Sequence, residues 1–103
     1  MRPIPKKMLR EMLEDPFYQK CCITGSNNVS LEHSVIFAGR QVNEKWAIVP
    51  LRRDLNTSHP PVEVKEKCRL IAFSRATEED FNKYPKAKER WKQEYKYLKK
   101  KYE

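Results

Sequence analysis

The 103 residues carry 22 Lys plus Arg against 14 Asp plus Glu, a formal charge of +8, with 39% apolar and 35% charged residues. That length and apolar content suit one domain with a small core, below the roughly 45–50% apolar share of average domains. The basic excess suits a polyanionic partner. No run approaches the roughly 20 apolar residues of a membrane span, and no charged-then-apolar leader opens the chain, so neither a membrane nor secretion is expected.

In chain order, Pro5 fits the first turn of a helix. Met8, Leu9, Met12 and Leu13 form one helical stripe, and Pro16 stops it. The spacing predicts a core-facing amphipathic helix over residues 5–14, within an N-terminal segment 1–16. Ser26-Asn27-Asn28 is turn chemistry. Val29 to Phe37 is rich in β-branched and apolar residues, which predicts a strand through its middle. Residues 38–45 read as a polar connection. Trp46-Ala47-Ile48-Val49 reads as a second strand closed by Pro50, and the two runs suit a hairpin with a long loop. Residues 52–58 read as a polar loop. His59-Pro60-Pro61 resembles a helix entrance, and residues 62–73 favour helix. Thr77 followed by Glu78, Glu79 and Asp80 is a helix start, broken at Tyr84-Pro85. Ala87, Trp91, Tyr95, Leu98 and Tyr102 share one face of a last helix over 86–102. The fold class is therefore α+β, as a single domain over 1–103.

Gly25 and Gly39 mark sharp turns. They are too isolated to cradle a phosphate, which excludes a Walker-type or dinucleotide-binding loop. Three cysteines, Cys21, Cys22 and Cys68, are an odd number. They argue against a disulfide framework and point to a reducing, cytoplasmic setting. Cys68 reads as a packing residue of a helix. Residues 86–103 hold +5 of the net charge. This lysine face is either a solvated surface that also suits the helix dipole or a phosphate-contacting surface whose binding falls with salt.

The chemistry-bearing residues are few. His33 follows Glu32 in the first strand, Asn43 lies in the connection, and His59 stands before the next helix. Phosphodiester hydrolysis needs a base for water and a cation to offset charge on the phosphate and the leaving oxygen. A neutral imidazole, with an unperturbed pKa of about 6.5, suits the base. A carboxylate and a second imidazole suit a divalent ion with open positions. The plainer reading stands beside this one: Glu32 as a surface strand acid, Asn43 as a turn residue, His59 as a helix cap.

Cys21-Cys22-Ile23-Thr24-Gly25, Leu31-Glu32-His33, Asn43-Glu44-Lys45-Trp46-Ala47-Ile48-Val49-Pro50-Leu51 and His59 together resemble the HNH, or ββα-metal, nuclease superfamily. The likeness covers about residues 17–73 and is closest to small phage or prophage-type members. It implies a ββα-metal hairpin plus helix, flanked by the N-terminal helix and a basic C-terminal extension over 77–103. It implies His33 as the general base, Asn43 as the residue that orients it, and Glu32 and His59 as metal ligands. Asn56 is a rival for the asparagine or metal position. Many members hold a structural zinc with two Cys-x-x-Cys pairs. Here Thr24 replaces the second cysteine and no cysteine lies near Arg52-Arg53-Asp54, so three thiols cannot make a four-Cys zinc site. The knuckle is expected to persist as a zinc-free turn, and Mg²⁺ or Mn²⁺ is the expected ion.

The implied function is a metal-dependent DNA endonuclease, located in the cytoplasm of a bacterial host if phage-encoded. The alternative is a non-catalytic nucleic-acid-binding protein on the same scaffold. Arg40, Arg52, Arg53, Lys92, Lys96, Lys99 and Lys100 are the candidate phosphate contacts, with DNA as the expected partner and RNA as the alternative. A third reading makes the aromatic face of the last helix a protein-interaction surface.

Overall fold

Proline punctuation and aromatic spacing set the order of elements. A computed structural model describes residues 3–57 and 60–103. Helix α1 covers Lys6–Glu14, with Pro5 as its N-cap. Its stripe is only half used. Met12 is buried and Met8 packs beside it, but Leu9 and Leu13 are exposed, Leu13 to 68%. The helix therefore meets the core along one i, i+4 pair, narrower than the stripe predicts. A 3-10 turn follows at Pro16–Gln19, opened by the Asp15 carboxylate accepting from the Phe17 N–H at 3.0 Å.

Strand β1 is Val29–His33 and pairs antiparallel with β4, Ile48–Arg52. Between them, Ile36–Phe37 (β2) and Arg40–Gln41 (β3) form a second, smaller hairpin. Ala38 and Gly39 turn it with φ of 52° and 78°. Two consecutive positive-φ residues are the signature of a tight hairpin turn. The predicted polar connection thus carries a hairpin of its own. Trp46 falls in a 3-10 turn, Lys45–Ala47, rather than in a strand.

Pro50 does not close β4 but sits in its middle, opposite Leu31. The Pro50 carbonyl accepts from Cys22 N–H at 3.0 Å. In a strand the N and C=O of one residue point the same way, so the proline nitrogen also faces away from β1. No ladder bond is lost, which is the condition for proline within a strand.

The β1–β4 ribbon is covered on both faces. Ile48 and Leu31 pack with Met12, Tyr18 and Met8. Val49 and Leu51 enter the main core with Cys68, Ala72 and Phe73 of α2, Val62–Arg75. Helix α3, Glu78–Asn82, starts on a reciprocal capping box between Thr77 and Asp80. Helix α4, Lys88–Tyr102, lays its predicted stripe on α2: Ala87, Trp91 and Leu98 are buried, with Tyr95 and Tyr102 packed at the edge. Trp91 meets the rings of Phe37, Trp46, Phe73, Phe81 and Tyr84 at centroid distances of 5.2–6.3 Å. At the last residue of α2, Arg75 lies 3.6 Å over the Phe17 ring and donates to Tyr18 Oη at 3.3 Å. The architecture is a mixed α+β fold. Among the described residues, no helix is long and apolar enough to cross a membrane.

Candidate functional site

A cleft of about 420 Å³ opens between the end of β1, the β2–β3 hairpin and the first turns of α2. Glu32, His33, Ser34, Asn56, Lys65 and Arg69 supply its polar lining, and Ile36, Val64 and Cys68 part of its apolar lining. Glu32 and His33 are neighbours and leave the strand on opposite faces of the pleat. Both nevertheless line this one cleft.

His33 is 5% exposed. Its Nε2 lies 3.0 Å from Asn43 Oδ1, and Asn43 Nδ2 donates to the Pro3 carbonyl at 2.8 Å. A carbonyl only accepts, so the amide end of Asn43 is committed to Pro3 and its oxygen faces the ring. Nε2 must then carry the proton, and Nδ1 keeps the lone pair. That Nδ1 is buried and has no hydrogen-bond partner among the described residues. A buried polar atom without a partner calls for an explanation.

Glu32 is half-buried across from Val49. Burial raises its carboxyl above the usual range, and the nearby Lys65 partly offsets this. A half-buried carboxylate of this kind gains from a cation, so it fits a hard divalent ion that keeps most of its water. His59 lies outside the described residues. Among the described residues, no group of three or more His, Cys, Asp or Glu is placed to hold a metal. Asn56, the rival position, is engaged: its Nδ2 donates to Ser30 Oγ at 2.7 Å and lies 3.4 Å from the Leu31 carbonyl.

The chain turns tightly over Cys21–Gly25. Cys21 Sγ accepts from the Ile23 and Thr24 N–H groups, both at 3.4 Å, and Gly25 turns the chain with φ of 78°. Burial pushes the Cys21 thiol up, but hydrogen bonds from Thr24 and the backbone outweigh it and hold the thiol below its ordinary range.

The proposed phosphate contacts divide. Arg52 is paired with Asp54, Arg53 Nε donates to Asn28 at 3.0 Å, and Lys92 pairs with Glu78 at 2.9 Å. Arg40, Lys96, Lys99 and Lys100 are exposed. Lys99 sits 5.7 Å over the Tyr95 ring. None of these seven residues lines the cleft. The cations that do are Lys65 and Arg69, which the sequence reading passed over; Arg69 also pairs with Glu94 of α4 at 3.3 Å. Their signal was the four-residue spacing just after Pro60-Pro61, which places both near the start of one helix face.

Set against known proteins, the chain matches no family model, no curated protein and no solved structure.

Proposed function

We propose that this chain is a metal-dependent nuclease that hydrolyses phosphodiester bonds in DNA, on a small ββα-metal scaffold formed by β1, β4 and α2. The observation that carries the reading is the His33–Asn43 pair at 3.0 Å, in which Asn43, fixed by Pro3, leaves Nδ1 free to accept a proton. A histidine held in one tautomer by a neighbouring acceptor is a suitable general base. Glu32, together with His59, would hold a divalent ion, which would supply charge neutralisation at the phosphate and the leaving oxygen. Lys65 and Arg69 place positive charge on the same wall of the cleft for a phosphate.

The test is plasmid nicking in Mg²⁺ or Mn²⁺, with His33→Ala alongside. The wild-type chain is expected to nick and the variant to lose activity. No nicking, or equal nicking by both, overturns the reading.

A second reading, nucleic-acid binding without turnover, is favoured by one feature. Lys96, Lys99 and Lys100 are exposed on α4, away from the cleft lining, and have no acidic partner among the described residues. A salt-sensitive affinity that metal leaves unchanged, without cleavage, supports that reading over the first.

A further inference from the structure

Three thiols lie in or against the main core, and Cys68 reaches the cleft. Cys21 and Cys22 lie in the Cys21–Gly25 turn, and Cys68 lies on α2. The Cys22 and Cys68 side chains lie close enough to interact directly, sulfur to sulfur. The two backbones that carry these thiols are both anchored on β4. Cys22 N–H binds the Pro50 carbonyl at 3.0 Å, and α2 packs Cys68, Ala72 and Phe73 in one core with Val49 and Leu51. The backbones that carry both thiols are thus fixed against one strand. Cys21 is less available: it is 4% exposed, and its sulfur already accepts two backbone N–H groups. Cys22 is only half-buried, so a small oxidant reaches it first.

We propose that Cys22 and Cys68 are a reversible modification site, forming an intramolecular disulfide with peroxide-class oxidants. The Cys22 sulfur attacks one peroxide oxygen, the O–O bond breaks, and Cys22 becomes a sulfenic acid as the peroxide is reduced to water. The Cys68 sulfur then attacks the Cys22 sulfur. The S–O bond breaks, the hydroxyl leaves as water with the Cys68 proton, and the S–S bond forms. In sum, two thiols and one hydrogen peroxide give one disulfide and two waters. A dithiol reductant reverses the change by thiol–disulfide exchange. Such a bond matches the transient disulfides of reducing compartments. Because Cys68 lines the cleft beside Glu32, the modification sits where anything held there would register it.

The experiment treats the whole chain with hydrogen peroxide, alkylates the remaining thiols, and maps digests by mass spectrometry. The expected result is a crosslinked peptide joining Cys22 to Cys68, two hydrogens lighter than the reduced pair, lost with dithiothreitol and retained in Cys21→Ser. Cys22→Ser and Cys68→Ala should each abolish it. The wild-type map is decisive on its own if Cys68→Ala fails to fold. A bond from Cys21 to Cys68, intermolecular dimers only, or over-oxidation of Cys22 with Cys68 still free overturns the proposal. None of these readouts depends on nucleic-acid cleavage.

Discussion

Asn43 is the residue on which the candidate chemistry turns. It accepts from His33 and donates to Pro3, so both ends of its amide are engaged. Replacing it with alanine leaves the Nε2–H without its acceptor and the ring without a fixed tautomer. Asn43→Ala is expected to lower nicking about 10–100-fold, the usual cost of losing a group that orients a functional histidine. The melting temperature should fall by several degrees as well, since leaving the buried Nε2–H unpaired costs about 1–3 kcal/mol, so rates are compared well below the melting point of the variant. Nicking rates and thermal melts on the same sample check this, and an unchanged rate would remove Asn43 from the site. The sequence places His33 and Asn43 ten residues apart, and only the family resemblance paired them. The pleat cannot pair them, because Asn43 lies in irregular chain beyond β3. Lys65 and Arg69 carry only their four-residue spacing as a signal, and Glu66 carries none. In a helix where acids and bases alternate, each looks like one more solvated charge.

Helix α4 is tied to α2 at both ends. Trp91 sits at the centre of the aromatic cluster near its start. Near its end, Lys101 Nζ and Tyr102 Oη both donate to Glu66 Oε1, at 2.9 and 2.7 Å. Trp91→Ala is expected to cost about 3–5 kcal/mol, a large share of the roughly 5–15 kcal/mol that holds a domain folded. Urea unfolding measures it. The hydrogen bonds from Lys101 and then Tyr102 hold the Glu66 carboxyl below the usual glutamate range. A depressed carboxyl stabilises the fold above its unfolded-state pKa, and this stability is lost as pH falls through the folded value. Glu66→Gln should therefore melt lower than wild type at neutral pH, with the gap closing as pH drops through and below the ordinary glutamate range. A gap independent of pH would show that Glu66 acts by packing alone. The stripe of α4 was legible because five apolar positions repeat at helical spacing over four turns. The β2–β3 hairpin was not, since two-residue strands are too short to alternate. Pro50 misled for a related reason: a proline ends a strand only where its nitrogen faces a partner.

For the whole molecule, the net charge of +8 resolves into two populations. Lys88 and Lys92 share the one Glu78 carboxylate, and Lys101 pairs with Glu66. Lys96, Lys99 and Lys100 remain exposed. If these three contact DNA phosphates, the slope of log affinity against log salt should fall by about 1 for each one removed. Fluorescence anisotropy with a labelled duplex between about 50 and 200 mM salt tests this on the triple alanine variant. An unchanged slope would assign them to solvation alone. The aromatic face of α4 is covered by α2, so it does not serve as a free protein-binding surface.

The proline within β4 has one more consequence, for self-association. Exposed strand edges invite pairing with another chain. On the β4 side, Pro50 offers no donor and its carbonyl is already taken by Cys22. On the β1 side, Asn56 bonds Ser30 and reaches the Leu31 carbonyl. The ribbon is thus obstructed at the middle of both edges, which disfavours a second copy extending it while the chain stays folded.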